Sequence, residues 1–361
     1  MSPLAPAPAT RSLRIAVRPH PADCPNPYLR LFYQALEPAG VTVAEPLNVN
    51  DDWLREHAPA VDAIHIHWPE TIWRPTPAAA GTLKRIVGLL SFLRLAGRLG
   101  IKRVWTVHNI VPHEARTAVD FLGSLALARS ADLLICHSEE TAQAVRRRYR
   151  PRGSIVVMHH GNFAGVYPQP RPREMVLREI GLDPNRPVVA CLGEQRPYKG
   201  LDVARTAFER LGGAVQLVVA GQPHAEMPPI LADLRSTDAV VLNRRVSDQE
   251  FADIASAADI VWLPYHHVTG SSVILASLTL GTAVVASDLP FFREVLEQEG
   301  PAGRLVPAGD AAAVAGATMA LLQIPRDARR AAALAIAARF DWTDAVTPVA
   351  DVIARWLEAA Q

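Results

Sequence analysis

A basic loop bounded by glycines lies in the second half of the sequence, in CLGEQRPYKG at residues 191–200. The apolar run before it predicts a buried strand, and the amphipathic segment after it predicts a helix. Arg196 and Lys199 therefore precede a helix N-terminus, where free N–H groups and the helix dipole attract anions. With Gly193 as the turn, this pattern would suit a diphosphate, although a solvated basic surface loop explains the same residues equally well.

A second polar loop, TGSS, follows a later apolar strand of the same half. Its residues are Thr269, Gly270, Ser271 and Ser272. Glycine would let the backbone approach a phosphate closely, and either serine could cap the next helix and donate from its hydroxyl and N–H groups. Taken alone, the segment is a plain helix cap. It gains interest because it and the basic loop occupy equivalent strand ends of one predicted domain.

Histidines follow predicted strands in the first half of the sequence. TVHN places His108 directly after an apolar strand, and HIHWPE places His67, Trp68 and Glu70 after another. His108 could donate to a phosphate or a sugar hydroxyl, or transfer a proton. Trp68 would stack on a sugar, and Glu70 could act as a base on the acceptor side. Each single histidine is also compatible with a hydrogen-bonded structural role.

The first strand leads into a Pro-rich loop, RPHPADCPNPY, at residues 18–28. It carries three further acceptor-side candidates, which are His20, Asn26 and Tyr28. MHHGNF adds a histidine pair at positions 159 and 160, for which we favour a structural role.

Signatures of metal and dinucleotide sites are missing. No HxxxH helix occurs, and the cysteines at positions 24, 136 and 191 match neither a zinc spacing nor a disulfide framework. No G-x-G-x-x-G follows the first strand of either half, which counts against a Rossmann oxidoreductase. We expect a protein without a bound metal or cofactor.

Parallel sheets are required to position these loops. Short apolar runs alternate with amphipathic segments through 361 residues, which predicts two doubly wound α/β domains with ligands beyond the carboxyl ends of the strands. Ser247 and Glu250 predict a capping box on one helix. Three prolines within 168–172 mark the domain boundary. The predicted parts are a first domain over 1–167, a second domain over 168–339, and a C-terminal helix over 340–361.

Composition narrows the class of protein. A net charge of +1 gives no basic field for nucleic acid. No run of about 18 uncharged apolar residues predicts a membrane-spanning helix, and the N-terminal segment lacks the apolar core of a signal peptide. We expect a cytoplasmic protein.

The second half resembles the nucleotide-sugar domain of GT-B glycosyltransferases, especially the retaining family-four group. Gly193, Arg196, Lys199 and Gly200 match the group's diphosphate-binding glycine turn, Arg and Lys-Gly pair. The resemblance covers nearly the whole chain. It implies that the first domain binds the acceptor and the second the nucleotide sugar, linked to GDP or UDP. By the same resemblance, Arg245 and Val246 would lie near the nucleobase. FDW at 340–342 would open the C-terminal crossover helix, which would pack back toward the first domain.

One departure concerns the two glutamates of the family-four Glu-x7-Glu motif, whose positions here are Val268 and Ala276. TGSS instead resembles the Ser/Gly-rich loop of divergent GT-B enzymes, including β-mannosyl-type transferases of glycolipid assembly. NPYLRLFYQAL and HIHWPE are similar to bacterial exopolysaccharide transferases of that kind. Retention or inversion of the anomeric centre is therefore left open. An inverting enzyme would need an acceptor-side base, for which Glu70, His108 and Glu114 are the candidates.

The segment 84–103 combines six basic residues with a Leu/Phe face and no acid. This composition suits an interfacial helix on anionic lipid, or a core-packed helix with a solvated basic edge, which we favour slightly.

The sequence thus predicts a metal-independent transferase that moves a sugar from a nucleotide donor to a saccharide or lipid-linked acceptor in bacterial surface glycan synthesis, with peripheral contact at the inner face of the cell membrane. A GT-B nucleotide-sugar epimerase and a non-catalytic nucleotide-sugar-binding partner are the alternatives.

Overall fold

The computed structural model describes residues 12–24, 26–73, 81–110, 118–297 and 300–359. Its internal contacts divide the chain into two compact units. Unit 1 comprises Met1–Gly161 and Trp342–Gln361, and unit 2 comprises Asn162–Asp341. Sequence analysis placed these divisions at 167/168 and 339/340. The first division comes earlier because Asn162 already bonds within unit 2, where its side-chain amide donates to the carbonyl oxygen of Ala337 at 3.0 Å.

Unit 1 is built on a parallel sheet. Its strands are β1 (Leu13–Arg18), β2 (Val41–Pro46), β3 (Ala63–Ile66), β4 (Lys102–Val107), β5 (Leu133–Cys136) and β6 (Ser154–Val157). Its first helices are α1 (Pro27–Leu36), α2 (Asp51–His57), α3 (Glu70–Trp73), α4 (Thr82–Arg98), α5 (Ala118–Ser130) and α6 (Glu139–Tyr149). The strand order is β2-β1-β3-β4-β5-β6, so β3 to β6 are consecutive neighbours whose carboxyl ends share one edge.

Unit 2 repeats this architecture. Its strands are β7 (Val188–Leu192), β8 (Gln216–Ala220), β9 (Val240–Leu242), β10 (Ile260–Leu263), β11 (Ala283–Ser287) and β12 (Gly303–Val306). Its helices are α7 (Arg173–Glu179), α8 (Leu201–Arg210), α9 (Pro228–Arg235), α10 (Asp248–Ala257), α11 (Ser272–Thr279), α12 (Pro290–Leu296), α13 (Ala311–Leu322) and α14 (Arg326–Ala338). The order β12-β11-β10-β7-β8-β9 places β7 and β10 side by side at the centre.

The last helix, α15 (Trp342–Glu358), belongs to unit 1 although it follows unit 2 in the chain. Val346, Val349 and Ile353 are buried on it in the same cluster as Leu29 and Phe32 of α1. The apolar face of α15 therefore completes the core on one side of the unit 1 sheet.

Aspartate carboxylates accept hydrogen bonds from backbone N–H groups at the edge of each sheet where the strands begin. The carboxylate of Asp62 accepts from the backbone N–H and Nε of Arg14 at 2.9 and 3.0 Å. Asp132 accepts from the same two groups of Arg103 at 2.8 and 2.9 Å. In unit 2, Asp259 accepts from the backbone N–H of Val188 at 2.9 Å. Backbone donors at this edge are thereby satisfied by charged acceptors.

The helices carry local stop and start signals. The capping box predicted at Ser247 and Glu250 is confirmed at the start of α10, where each side chain accepts from the other residue's backbone N–H. Among the helices that the structure describes, we find none with the length and apolarity needed to cross a bilayer.

Candidate active site

The β7 loop, residues 193–200, follows the central strand of unit 2. Gly193 has a φ of +82°, which favours glycine. A Cβ at this position would lie 3.3 Å from Nζ of Lys199 and 3.2 Å from Cγ2 of Val273, in the first turn of α11. The absence of a side chain at Gly193 therefore leaves a space beside both the Lys199 ammonium and the first turn of α11.

Two cationic side chains lie in this loop. Burial lowers the pKa of the Lys199 ammonium to about 8, against the opposing effect of Glu194. Its Nζ also lies 5.7 Å from the ring centroid of Tyr265, within the range of a cation–π contact. Arg196 is half-buried and pairs with Glu194 at 3.2 Å. A ligand anion would relieve the cost of keeping Lys199 charged.

Gly200 locks the β7 loop against the β10 loop, residues 264–271. Its φ is +69°, and a Cβ there would fall 2.0 Å from the carbonyl oxygen of Pro264. The backbone N–H of His266 donates to the carbonyl oxygen of Tyr198 at 2.8 Å. The Lys-Gly pair thus supplies both the charge and the close backbone approach that holds the two loops together.

The β10 loop ends at the N-terminus of α11. Ser271 is the N-cap residue and is buried, with 8% exposure, but its side chain makes no capping hydrogen bond. Ser272 and Gly270 are exposed, and a Cβ on Gly270 would meet nothing within 4 Å. Thr269 is half-buried. The open space in front of this helix start fits an anion near Lys199.

Gln195 is a residue that sequence reasoning missed. It is 1% exposed, and its side-chain amide donates to the carbonyl oxygen of Gly193 at 2.7 Å. Its backbone N–H donates to the carbonyl oxygen of Gln222 at 2.8 Å. A polar residue next to a glycine turn after a buried strand was the signal for this supporting role.

The predicted nucleobase loop lies beyond β9, at the sheet edge. Arg245 is exposed and Val246 half-buried. The neighbouring Arg244 pairs with Glu250 of the α10 capping box at 2.6 Å, which anchors the loop. Of the two positions where the family motif has glutamate, Val268 is half-buried in the β10 loop and Ala276 is fully buried in α11.

Unit 1 places one histidine after each of four adjacent strands. His67, His108, His137 and His160 follow β3, β4, β5 and β6. Neighbouring ring centroids along this row are 5.2, 5.4 and 5.9 Å apart. Sequence reasoning selected the first two and assigned His160 a structural role. It missed His137, although this residue also follows an apolar strand, which was the signal that singled out His108.

A buried hydrogen-bond chain connects this row to α1. The Tyr33 hydroxyl lies 2.7 Å from Nδ1 of His65 and 3.2 Å from Nε2 of His67. Nε2 of His65 lies 2.8 Å from Oγ1 of Thr106. Nδ1 of His67 lies 3.0 Å from Nε2 of His108. Burial lowers the pKa of His65, His67 and His108, so these three imidazoles are neutral and each carries one N–H.

The distances favour one tautomer of His108. O–H donors form shorter hydrogen bonds than N–H donors, which favours the arrangement in which the Tyr33 hydroxyl donates to His65 and accepts from Nε2–H of His67. Nδ1 of His67 is then an acceptor for Nε2–H of His108. Nδ1 of His108 consequently carries the lone pair, as a general base requires.

Trp68 lies directly against this base. Its ring stacks on His108 with centroids 4.3 Å apart and planes 11° apart. Its φ of +38° is uncommon for a bulky residue and is typical of functional sites. Glu70 is half-buried at the start of α3, two residues beyond Trp68. Glu114 lies outside the described residues.

The remaining acceptor-side candidates have local partners. Oδ1 of Asn26 accepts from the backbone N–H of Tyr28 at 3.0 Å and caps α1. Nδ1 of His20 accepts from the backbone N–H of Ala22 at 3.3 Å. Tyr28 is 1% exposed, and its ring packs against His108, with the centroids 5.1 Å apart. Tyr28 therefore supports the histidine row from beneath.

No group of three or more His, Cys, Asp or Glu that could hold a metal ion occurs among the described residues. The positive charges described in the β7 loop are those of Arg196 and Lys199, and Glu194 pairs with Arg196.

Comparison with known families identifies the second unit. Residues 186–324 match the family described as glycosyl transferases group 1. The matched residues all lie in unit 2 and make up most of it. The match contains both the β7 loop and the β10 loop.

Relatives extend beyond the group 1 domain. The chain is 28% identical over 287 residues to D-inositol 3-phosphate glycosyltransferase of Thermobispora bispora, covering 72% of this chain and 67% of the relative. It is 28% identical over 313 residues to GDP-mannose:glycolipid 4-beta-D-mannosyltransferase of Xanthomonas campestris, covering 83% and 81%. A second D-inositol 3-phosphate glycosyltransferase, from Xylanimonas cellulosilytica, is matched over only 59% of its length.

Solved structures show the fold. Sucrose-phosphate synthase of Thermosynechococcus elongatus superposes with a TM-score of 0.73 at 18% identity, over 98% of this chain and all of that one. Anabaena HepE in complex with UDP gives 0.71 at 16% identity, over 96% of this chain and all of that one. Two Rossmann-like domains of this kind constitute the GT-B fold.

Proposed function

We propose that this protein is a glycosyltransferase that moves a sugar from a nucleotide-sugar donor to a saccharide or lipid-linked acceptor in bacterial surface glycan synthesis. The observation that carries the proposal is the juxtaposition of Lys199, the Gly193 turn and the N-terminus of α11 within a group 1 domain. This arrangement would bind the donor diphosphate and stabilise the negative charge that develops on it as the sugar leaves. Relatives named for transfer to glycolipid support the acceptor class.

The donor test compares matched charge deletions in unit 2. Lys199→Ala and Arg196→Ala should each weaken nucleotide diphosphate binding by about 10- to 100-fold, since a charge-assisted contact contributes roughly 1.5–3 kcal/mol. Arg205→Ala, which removes a half-buried charge on α8 that pairs with Glu209, is the control. Calorimetric titration with UDP, GDP and ADP also identifies the base. Unchanged affinity in both site variants would remove the diphosphate assignment.

In unit 1 we propose His108 as the acceptor-side base, with Glu70 and Glu114 as the other candidates. The tautomer derived for His108 supports this role, because the Nδ1 lone pair can accept a proton from an acceptor hydroxyl. His108→Ala should lower kcat by at least about 100-fold while nucleotide affinity stays unchanged. The anomeric configuration of the product, read by NMR, distinguishes inversion from retention.

We further propose that transfer needs no bound metal or cofactor, because Arg196, Lys199 and the start of α11 supply positive charge to the leaving diphosphate. Turnover should persist in excess EDTA. Loss of turnover with chelator, restored by Mg²⁺ or Mn²⁺, would contradict this.

Contact with the inner face of the membrane is proposed for α4. Leu83 and Val87 are 63% and 60% exposed on it, beside the exposed Lys84 and Arg94. An apolar stripe flanked by cations suits an anionic lipid surface. Leu83→Asp should reduce cosedimentation with phosphatidylglycerol vesicles. Leu334→Asp, at an exposed leucine of unit 2, should leave it unchanged.

One observation favours a second function. The positions of the family glutamates hold Val268 and the fully buried Ala276, so neither supplies a carboxylate. A non-catalytic partner would bind the nucleotide sugar without turnover with any acceptor. An epimerase would convert the donor alone. Incubation of each nucleotide sugar with and without acceptor separates the three functions.

A further inference from the structure

His137 is the member of the histidine row with a buried ring nitrogen that none of the described residues satisfies. It follows β5 and is 4% exposed. Its Nδ1 lies 3.0 Å from the carbonyl oxygen of Met158. A carbonyl can only accept, so Nδ1 carries the proton and Nε2 of the neutral ring carries the lone pair. Nε2 is buried and has no hydrogen-bond partner among the described residues.

An unsatisfied buried acceptor is unfavourable. Leaving such an atom without a donor costs about 1–3 kcal/mol, and folded proteins retain few of them. Protonation does not relieve the cost, because burial lowers the pKa of His137 to about 4. A bound donor group would therefore recover free energy that the protein alone does not.

The surroundings of His137 select the chemistry of that donor. The rings of Tyr28, His108 and His160 lie 5.3, 5.4 and 5.9 Å from it, centroid to centroid. Nδ1 of His160 lies 2.7 Å from the carbonyl oxygen of Gly161, so this neutral ring carries its proton on Nδ1, as His137 does. A neutral imidazole nitrogen with a lone pair repels phosphate oxygens and attracts hydroxyl hydrogens. The neighbouring Trp68 ring adds the apolar face on which sugars stack.

We propose that Nε2 of His137 accepts a hydrogen bond from a hydroxyl group of an uncharged sugar residue. The inference deepens the proposed function and rests on it for the identity of the sugar, which is that of the donor or that of the acceptor. The hydrogen-bond geometry of His137 does not depend on the transferase assignment.

Two substitutions separate a binding role from a structural role. Asn places an amide nitrogen near the position of Nδ1, so His137→Asn keeps a donor for the Met158 carbonyl and removes the acceptor at Nε2. Gln reaches the position of Nε2, so His137→Gln keeps an acceptor there and loses the hydrogen bond to Met158. We expect His137→Asn to lower kcat/KM about tenfold and His137→Gln to retain more activity. The opposite order, or equal loss in folded variants, would overturn the proposal.

The kinetic constants also identify the sugar. A rise in KM for the nucleotide sugar alone assigns the hydroxyl to the donor, and a rise for the acceptor alone assigns it to the acceptor.

A measurement on the unmodified protein keeps the test independent of folding and of turnover. In a two-bond ¹H–¹⁵N spectrum of the histidine-labelled protein, His137 should be the Nδ1–H tautomer. Its Nε2 signal should shift on titration with D-mannose or D-glucose and stay unchanged with inorganic pyrophosphate. A shift with pyrophosphate alone, or no shift with either sugar at saturation, would mean that Nε2 meets only water or an anion and would overturn the proposal. Absence of transfer by the wild-type protein would instead refute the proposed function.

Discussion

Lys199 occupies a position where burial opposes its charge. Its pKa is lowered from 10.5 to about 8, so the unfolded chain binds more protons than the folded one between these values. For the free protein, this group therefore makes stability rise with pH across that window, and below pH 8 the buried charge lowers stability. An anionic ligand reverses the preference, because it stabilises the protonated lysine.

A pH dependence of nucleotide affinity follows. Above about pH 8 the free protein must take up a proton at Lys199 to bind a diphosphate, so affinity should fall by up to about tenfold per pH unit. Calorimetric titration with GDP or UDP between pH 7 and pH 10 measures this. Lys199→Arg keeps its charge throughout and corrects for titration of the ligand. Equal slopes in the two proteins would show that Lys199 does not contact the ligand.

The tautomer of His108 depends on Tyr33. In Tyr33→Phe, Nε2–H of His67 loses its acceptor, so His67 can move its proton to Nδ1 and force His108 to present N–H in place of a lone pair. We expect kcat to fall at least tenfold with an altered pH profile, since general base catalysis contributes roughly 10²–10⁴. Tyr149→Phe removes another buried hydroxyl of unit 1, which donates to Ile110, and should retain kcat. Equal loss in the two variants would indicate a purely structural effect.

The residue pattern of the sequence located part of this site. A histidine after an apolar strand singled out His108 and His67, which the structure brings together. The tautomers, the Tyr33 bridge and the unpaired nitrogen of His137 depend on which strands are neighbours. Strand order is set by packing across the sheet, and spacing along the chain does not encode it.

At the scale of elements, glycines decide where the loops of unit 2 can meet. The helix predicted after the basic loop is α8, because its apolar positions recur at helical spacing and Gly200 ends the preceding turn. Sequence spacing alone did not show that Gly200 also faces the carbonyl of Pro264. That contact arises from the pairing of β7 with β10, which are separated by about 70 residues of chain.

A matched pair of substitutions measures this contact. Gly200→Ala and Gly213→Ala both place a Cβ on a left-handed residue, with φ of +69° and +86°, which costs about 1–2 kcal/mol. Only the Cβ at Gly200 meets a backbone atom, at 2.0 Å, whereas the one at Gly213 meets nothing within 4 Å. We expect a loss of about 3 kcal/mol or more for Gly200→Ala in chemical denaturation. Similar losses for both variants would show that the β10 loop moves aside freely.

At the scale of the whole molecule, unit 1 is discontinuous in sequence. Its sheet lies within the first 161 residues, but the face of α1 that carries Leu29 and Phe32 is covered by α15, which begins at Trp342. Sequence analysis predicted a C-terminal helix that packs back toward the first domain, on its resemblance to GT-B crossover helices. The sequence did not predict which helix it contacts, and the structure shows that this helix is α1.

Removal of α15 should affect the units unequally. A chain ending at Asp341 exposes the apolar cluster around Phe32, so amides of α1 should lose protection in hydrogen exchange. Amides of β7 and β8, whose core lies wholly within unit 2, should keep theirs. Loss of protection in both units alike would show that they unfold as one cooperative body.

The discontinuity of unit 1 also sets an order of events on the ribosome. The segment from Asn162 to Asp341 leaves the exit tunnel before Trp342 does. Unit 2 is therefore complete before unit 1, although most of unit 1 is translated earlier. Until α15 emerges, the nascent first half leaves the apolar side of α1 uncovered, including Leu29 and Phe32. This side therefore stays without its partner helix for the time needed to synthesise about 180 residues, roughly 10–40 s at about 5–20 residues per second.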